Sequence, residues 1–335
     1  MKNRQIILVT RPEGLPKAAD FRLIESEMRA PDEGQFLVRT EFLSVDPYMR
    51  GRIGDQESYA EPVALGDVMV GGTVGTVLES RHPDYHAGDV VVGYWGWQEY
   101  TISDGHDIQR FDTSLAPMST ALGVLGMPGM TAYFGLLDIG QPEPGETVFV
   151  SGAAGAVGSM VGQIAKIKGC IVAGSAGSQA KVQHLLTDLG FDAAFSYKDV
   201  TDYTTWLREM CPQGIDVYYD NVGGPLTDAV FTHINQRARI VVCGQIDQYN
   251  ATRPARGPRL LWHLIVKRAR AEGFLVFDFA HRYREAQEQI AQWLGAGKVQ
   301  YQETIVDGLE NAPGAFIGLF RGENLGKQLV RVAQP

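Results

Sequence analysis

The chain has 335 residues, with 44% hydrophobic and 21% charged residues, which is typical of a folded globular protein large enough for two domains. Its formal net charge of −9 argues against a general nucleic-acid-binding role, because phosphate binding needs a basic face. No apolar run approaches the length of a membrane span, and the first residues lack the pattern of a signal peptide. We therefore expect a cytosolic protein that binds neither membrane nor nucleic acid.

Residues 1 to about 122 read as β-rich. The segments Gln35–Thr40 and Asp89–Tyr94 alternate in polarity or are rich in β-branched residues. Turn signals such as Pro31–Gly34 and His86–Asp89 separate these short segments. Strands without helical periodicity predict a small barrel or sandwich for this part of the chain.

From about residue 123 strands and helices alternate, which predicts a doubly wound parallel sheet of the α/β class. The predicted helices cover 128–137, 181–189 and, as the last helix, 283–294. The predicted strands cover 147–150, 171–174, 193–195, 215–220 and 238–244. The chain from about 300 has lost this rhythm, so we expect it to return to the first domain.

The first strand of this half, Thr147–Val150, leads into a turn with Gly152, Gly155 and Gly158 and then into a helical pattern. Strand, glycine turn and helix are the context in which glycines indicate a dinucleotide site, because backbone N–H groups can approach a pyrophosphate at the helix N-terminus. The spacing is GxxGxxG and not the standard GxGxxG, and the alternative is a turn with a structural role only.

The next strand indicates which nicotinamide cofactor binds. NAD sites usually carry an acidic residue near the end of the second strand, about 20 residues after the glycines, to bind the ribose 2′-hydroxyl. Here that place reads Ala173–Ser178 without an acid, and Lys181 follows. A missing carboxylate and a nearby cation favour a 2′-phosphate, hence NADPH. The alternative for Lys181 is a solvated helix lysine.

Metal binding is not expected. The three cysteines, Cys170, Cys211 and Cys243, form neither a CxxC pair nor a four-cysteine zinc lobe. The histidines of the first domain have no cysteine partner and are interpreted as solvated or capping residues: His82, His86 and His106.

Several motifs together carry a resemblance that covers nearly the whole chain. The motifs are Ser44–Arg50, Gly126–Tyr133, Ala153–Ser159, Asp220–Gly224, Gly244–Asn250 and Glu323–Lys327. With them the sequence resembles the medium-chain dehydrogenase/reductase superfamily, and within it the zinc-free branch of prostaglandin/leukotriene reductases, plant double-bond reductases and bacterial curcumin reductases.

This resemblance implies a GroES-like substrate and catalytic domain, formed by residues 1–122 and by a C-terminal return at 300–335. It implies a Rossmann NADP-binding domain at 123–299, inserted between these two parts, with the active site in the cleft. By analogy with the family we also expect a homodimer.

The resemblance further implies a set of site residues. Tyr249 and Tyr48 are the candidate catalytic residues, with Tyr249 as the hydrogen-bond donor and Tyr48 in contact with substrate. Each has an alternative as a packed aromatic residue whose hydroxyl binds backbone, and for Tyr197 the alternative is a packing aromatic. The implied cofactor-binding residues are Gly155, Ala156, Val157, Gly158, Lys181, Tyr197, Asn221, Cys243, Gly244, Tyr249, Phe274, Leu275, Val276 and Asn324. Phe274–Val276 would otherwise be interpreted as a buried strand.

The chemistry expected without a metal is NADPH-dependent reduction of the carbon–carbon double bond of α,β-unsaturated ketones or aldehydes. Hydride addition at the β-carbon builds negative charge on the carbonyl oxygen, which a tyrosine O–H stabilises, and a proton must reach the α-carbon from Tyr249 or from water. The alternatives are an NADPH quinone oxidoreductase and a non-catalytic NADPH-binding sensor.

Two further segments each have two possible interpretations. The proline- and glycine-broken segment 250–260 carries Arg253, Arg256 and Arg259 and suits a loop at the substrate mouth. Its arginines either lie on a solvated face or attract an anionic group, which would be an acidic substrate tail or the cofactor phosphate. Trp95–Trp97 is interpreted as an aromatic cluster at the edge of the barrel, with lining of an apolar pocket as the alternative.

Overall fold

The computed structural model describes residues 1–55 and 58–333, and the chain divides into two compact units. The first unit, here called the antiparallel unit, contains Met1–Gly123, Glu303–Asn324 and the chain from Gln328 onwards. The second, the parallel unit, contains Val124–Gln302 and the short segment Leu325–Lys327.

The strands are numbered in chain order. In the first half they are β1 (Lys2–Leu8), β2 (Phe21–Glu27), β3 (Phe36–Ser44), β4 (Thr73–Ser80), β5 (Val90–Gly93), β6 (Tyr100–Ser103) and β7 (Gln109–Arg110). The strands that follow are β8 (Thr147–Val150), β9 (Ile171–Ala176), β10 (Ala193–Ser196), β11 (Ile215–Asp220), β12 (Ile234–Val242), β13 (Arg270–Gly273), β14 (Glu303–Asp307) and β15 (Lys327–Arg331).

The α-helices are α1 (Met49–Arg52), α2 (Met127–Phe134), α3 (Ala156–Ile167), α4 (Gln179–Thr187), α5 (Tyr203–Met210), α6 (Gly224–Phe231), α7 (Leu261–Lys267), α8 (Tyr283–Gly295) and α9 (Ala312–Leu319). Short 3₁₀ helices cover Ala18–Asp20, Met118–Leu122, Val276–Arg282 and Leu309–Asn311, and a π-helical turn covers Gly135–Gly140.

A seven-stranded sheet forms the frame of the antiparallel unit, in the order β14-β15-β3-β4-β5-β7, with β6 also paired to β3. The C-terminal strand β15 pairs antiparallel with β3, so that Leu329 lies opposite Ser44. Trp97 is fully buried in the core of this unit, where its ring stacks on Phe21 at 5.6 Å and meets Phe316 edge-on at 6.1 Å. Trp97 therefore belongs to the core and does not line an open pocket.

The parallel unit is built on a six-stranded parallel sheet in the order β10-β9-β8-β11-β12-β13. Its chain runs outward from β8 to one edge and then from β11 to the other, which is the strand order of a Rossmann fold. All four residues of β8 are buried, as expected for a central strand covered on both faces. The predicted α/β class with a doubly wound parallel sheet is confirmed.

Two local predictions are wrong. The helix over 283–294 is not the last one, because α9 follows it and buries Phe316 in the antiparallel unit. Phe274–Val276 is not a buried strand either, since β13 ends at Gly273, Leu275 is exposed and Val276 begins a 3₁₀ helix. Within the described ranges 1–55 and 58–333, no helix combines the length and the apolar character that crossing a membrane requires.

Candidate cofactor site and active site

The candidate site lies where the strand order of the parallel sheet reverses. The neighbouring strands β8 and β11 are parallel, and the connections that follow them lead to opposite edges of the sheet. Ligands of open α/β sheets bind outside the carboxyl ends of such strands. Ser151 directly follows β8, and its N–H donates to the carbonyl of Tyr219 at 3.1 Å. Asp220 ends β11, and Asn221 follows it. The two strand ends therefore place Ser151, Asp220 and Asn221 next to one another.

The three glycines of the turn have different physical roles. Gly152 adopts a φ of +61°, which favours glycine, and Gly155 precedes the first residue of α3. A Cβ at Gly158 would lie 2.5 Å from the carbonyl oxygen of Gly152, so the helix packs on its own turn only without that atom. No side chain caps α3, and the N–H groups of a first helical turn have no partner within the helix. This arrangement suits a pyrophosphate.

Asn221 is tied to the glycine turn through Ser151. Its side-chain amide donates to the Ser151 carbonyl at 2.8 Å, and its backbone N–H donates to the Ser151 hydroxyl at 2.9 Å. The structure therefore brings Asn221 to the start of the turn, whose first glycine would place a Cβ 3.6 Å from the Cβ of Asn221.

Asp220 is a buried carboxylate that organises these elements. It is 1% exposed, and its Oδ1 accepts from the hydroxyls of Ser151 at 3.0 Å and Tyr218 at 2.8 Å. The same oxygen accepts from the backbone N–H groups of residues 222 and 223 at 3.0 and 2.8 Å. Its Oδ2 accepts from Thr227 at 2.9 Å and from Gln245 at 3.0 Å. A buried carboxylate with this many donors is a rigid anchor.

Tyr249 lies in the segment that follows β12. Its hydroxyl oxygen accepts a hydrogen bond from the Gln245 N–H at 3.3 Å and lies 3.3 Å from the position of a Cβ on Gly244. Burial raises the pKa of Tyr249, and the Gln245 N–H opposes that rise only in part. The phenol is therefore protonated at neutral pH, and because its oxygen already accepts a bond, its own proton can be donated to a ligand.

Cys243 and Gly244 are held beside Asp220. Both backbone N–H groups donate to the Asp220 carbonyl, at 2.9 and 3.0 Å. Burial raises the pKa of the Cys243 thiol to about 12, so it is neutral at physiological pH. Farther along the chain, Phe274 sits against Gly135, where a Cβ would lie 2.6 Å from the Phe274 ring.

A second cluster lies at the ends of β9 and β10. The Tyr197 hydroxyl would be 2.9 Å from a Cβ on Gly177, so the tyrosine lies directly against the backbone that follows β9. Lys181 is in the first turn of α4, after the capping residue Ser178. Burial lowers the pKa of Lys181, and the charge of Lys198 lowers it further. Two neighbouring lysines and a tyrosine suit a phosphate monoester, which carries more charge than one cation can balance.

Tyr48 and Asn324 belong to the antiparallel unit. Tyr48 is half-buried directly before α1, and burial together with the charge of Asp46 raises its pKa well above the ordinary tyrosine value. The neighbouring Asp46 accepts a hydrogen bond from the Ser44 hydroxyl. Asn324 directly precedes Leu325–Lys327, a segment of the parallel unit in which the Gly326 N–H donates to the Ala154 carbonyl at 2.9 Å.

The histidines and the arginine loop lie outside these clusters. His82 accepts from the Asp84 N–H at 3.0 Å in a turn, and His86 and His106 are exposed. The described part of the chain holds no group of three or more His, Cys, Asp or Glu side chains able to bind a metal ion. Residues 251–259 form an exposed irregular segment, so that Arg253, Arg256 and Arg259 are solvated.

Comparison with known proteins identifies the family. Residues 4–111 match the model of the N-terminal domain of oxidoreductases, and residues 156–292 match the model described as zinc-binding dehydrogenase. The chain is 51% identical to the NADPH-dependent curcumin reductase of Escherichia coli, over 99% of this chain and 97% of that protein. The chain belongs to the zinc-free branch of the medium-chain dehydrogenase/reductase superfamily.

Other relatives extend over the same length. The chain is 44% identical to the NADP-dependent 2-alkenal reductase of Nicotiana tabacum, over 100% of this chain and 98% of that protein. The crystal structure of CurA in complex with NADPH from Vibrio vulnificus is 50% identical, with a TM-score of 0.95 over 99% of this chain and 100% of that one. The family resemblance inferred from the motifs is confirmed, together with its fold.

Sequence reasoning missed four residues that shape the site. Asp220 is the first residue of the motif Asp220–Gly224, and Ser151 directly follows the strand Thr147–Val150. The position of each at the carboxyl end of a central strand is the signal that points to it. Lys198 directly follows Tyr197, so a second cation after the third strand could have been noticed. Gln245 has no such signal, because its contact with Asp220 depends on the path of the loop after β12.

Proposed function

We propose that this protein is an NADPH-dependent reductase of the carbon–carbon double bond of α,β-unsaturated ketones and aldehydes. Relatives of matching length are an NADPH-dependent curcumin reductase and an NADP-dependent 2-alkenal reductase, and CurA from Vibrio vulnificus has been solved in complex with NADPH. The observation that carries the proposal is the protonated Tyr249, whose oxygen is held by the Gln245 N–H and whose proton can be donated beside Gly244.

The cofactor site is proposed at the carboxyl ends of the parallel strands. The first turn of α3, Gly155–Gly158, would hold the pyrophosphate, and Lys181 with Tyr197 would hold the 2′-phosphate. The remaining proposed cofactor contacts are Asn221, Cys243, Gly244, Tyr249, Phe274, Leu275, Val276 and Asn324. Bound NADPH supplies the hydride that adds to the β-carbon of the substrate.

The protein side chains have a separate task. A donor at the substrate carbonyl stabilises the negative charge that develops on that oxygen, and a neutral phenol is such a donor. We assign this role to Tyr249 and propose that Tyr48, whose pKa is also raised, contacts the substrate from the antiparallel unit. In this proposal the antiparallel unit is the substrate domain and the parallel unit binds NADPH.

A homodimer in the cytoplasm is also proposed. Strand β13 lies at the edge of the parallel sheet, and nearby α7 exposes Leu261, Trp262 and Ile265 at 73%, 65% and 68%. A free sheet edge beside an exposed apolar surface favours pairing with a second copy. Light scattering on the purified protein tests this, and a monomer at micromolar concentration would contradict it.

The activity test mixes purified protein, NADPH and panels of enones, enals and quinones, and follows the absorbance of the reduced cofactor. Product analysis must show a saturated carbonyl compound. Tyr249→Phe should lower kcat about a hundredfold, because one oxyanion donor is lost, and should weaken NADPH binding by a much smaller factor. Tyr85→Phe is the matched control, since that hydroxyl donates to the Ile108 carbonyl outside the proposed site.

The outcomes separate the alternatives. Absence of turnover with every enone and enal contradicts the proposed function, and turnover of quinones alone assigns the chain to quinone reduction. A Tyr249→Phe variant as fast as the wild type removes the catalytic role of that residue while leaving the reaction class intact.

A further inference from the structure

Gln245 received no role from the sequence, yet every polar group of its side-chain amide is used. Its Nε2 donates to Asp220 Oδ2 and to the Gly244 carbonyl, both at 3.0 Å. Its Oε1 accepts from the Gln248 side chain at 3.2 Å. The amide is therefore fixed in one orientation by the protein itself, and its anchor is the buried Asp220 carboxylate.

The segment around Gln245, residues 244–249, is docked on the loop that follows β11. The Asp247 N–H donates to the Val222 carbonyl at 3.0 Å. Gly223 makes this docking possible: it has a φ of +74°, and a Cβ there would lie 2.3 Å from Gln245 Oε1. Gly223 thus provides the space that the Gln245 side chain occupies, and Gly224 provides space for Asp247.

The backbone of Gln245 makes the contact that matters for chemistry. Its N–H is the donor to the Tyr249 hydroxyl oxygen at 3.3 Å. A phenol oxygen that accepts from a fixed N–H keeps its own O–H directed away from that donor. Backbone bonds hold the segment on either side of this N–H, from Gly244 to the Asp220 carbonyl and from Asp247 to the Val222 carbonyl. The side-chain bond to Asp220 Oδ2 adds an anchor on the residue that carries the N–H itself.

We propose that Gln245 is a positioning residue that orients the Tyr249 hydroxyl through its anchorage on Asp220. The proposal rests on the role of Tyr249 in the proposed function. Asp220 is suited to be the anchor because its other bonds, to Ser151, Tyr218, Thr227 and two backbone N–H groups, do not depend on Gln245. The anchor therefore stays in place when the glutamine is changed.

The first experiment replaces the amide by an apolar group of similar size. Gln245→Met should lower kcat about tenfold or more, because a misplaced donor loses its alignment with the reacting oxygen. The NADPH Kd should change much less than kcat, since every polar group of the Gln245 amide is already bonded within the protein. Gln292→Met, at an exposed glutamine of α8, is the matched control.

The second experiment shows whether the effect passes through Tyr249. In a Tyr249→Phe background the Gln245→Met change should have little further effect on kcat, because the group it positions is gone. An equal loss in both backgrounds overturns the proposal, and so does a Gln245→Met enzyme with wild-type kcat. If Tyr249→Phe itself turns over normally, there is no hydroxyl to position and the proposal also fails.

A rescue pair guards against a variant that is simply less well folded. Gln245→Glu places a second carboxylate against Asp220 and should lower kcat more than the methionine does. Adding Asp220→Asn returns a donor and an acceptor to that contact, with the polarity reversed, and should recover part of the loss. A double variant as slow as Gln245→Glu alone, with an unfolding temperature equal to wild type, contradicts the proposal.

A readout without turnover separates this inference from the proposed function. In the free protein labelled with ¹³C at the tyrosine ring carbon that bears the hydroxyl, the Tyr249 resonance reports the hydrogen bond that its oxygen accepts. Gln245→Met should shift this resonance, and Gln292→Met should not. An unshifted resonance overturns the positioning role even if enone reduction is observed, and a shifted one supports it even if no enone is turned over.

Discussion

Gly158→Ala tests the geometry of the glycine turn, because the added Cβ would meet backbone and not a flexible side chain. It would lie 2.5 Å from the Gly152 oxygen and 2.8 Å from the Ala153 Cα, whereas real Cβ atoms essentially never come within 3.0 Å. The first distance must therefore open by at least 0.5 Å, from 2.5 to beyond 3.0 Å, which moves α3 relative to the turn. Overpacking of this kind costs about 1–3 kcal/mol of unfolding free energy.

The same displacement of α3 should weaken NADPH binding. Loss of one hydrogen bond to a charged phosphate costs about 1.5–3 kcal/mol, which corresponds to about ten- to a hundredfold weaker NADPH binding. Cofactor fluorescence gives the Kd, and urea unfolding gives the stability.

The matched control is Gly314→Ala. Gly314 is also the third residue of its helix, α9, but a Cβ there meets nothing within 4 Å. That variant should bind NADPH normally and be slightly more stable, since alanine favours helices over glycine by about 1 kcal/mol. An unchanged NADPH Kd in Gly158→Ala would refute the assignment of this turn to the cofactor.

Three further predictions follow from charge and burial. Lys181→Met should reduce the preference for NADPH over NADH at least about tenfold, because it removes the proposed bond to the 2′-phosphate. The ratio of kcat/KM values for the two cofactors measures this preference. Because the pKa of Lys181 is lowered, this lysine loses its charge at a lower pH than an ordinary lysine. As pH rises, the preference for NADPH should therefore start to decrease before pH 10.5 is reached. The pKa of Tyr249 is raised, so kcat should show no decrease due to this tyrosine up to pH 10.0. Burial raises the thiol pKa to about 11 for Cys170 and to about 12 for Cys211 and Cys243. Iodoacetamide at pH 8 should therefore label the native protein slowly and the unfolded protein fast. Rapid labelling of the native protein would contradict the burial of these thiols.

The parts of the fold that could be predicted are those with a clear period. The buried strand at Thr147–Val150 and the amphipathic helix after it were readable because apolar residues recur at the spacing of each element. Helix α9 was missed because its sequence APGAFIGL is apolar on almost every side and contains glycine and proline, so no polar face marks it as a helix. Helix α7 was missed for a related reason, since its apolar residues are exposed.

The candidate site also has parts that could be predicted from the sequence and parts that could not. The glycine turn, Lys181 and the missing acid after the second strand lie close together in the sequence. General rules on phosphate binding were therefore enough to identify them as a candidate cofactor site. The contact of Gln245 with Asp220 joins two loops whose paths depend on tertiary structure. Tyr48 and Tyr249 required the family resemblance, because nothing in the local pattern distinguishes either from an aromatic residue packed in a core.

The pairing of β15 with β3 bears on how the chain folds during synthesis. Strand β3 leaves the ribosome early, but its neighbour in the sheet follows only after the whole parallel unit has been made. Strand β6 pairs with the Phe36–Arg39 end of β3, so only the Phe42–Ser44 end of that side stays unpaired through most of translation. Meanwhile the parallel unit has nearly all its strands and helices and can fold first. Exposed strand edges favour aggregation. We expect truncated nascent chains that end before Lys327 to need chaperone protection, and release of the final strand to complete the sheet.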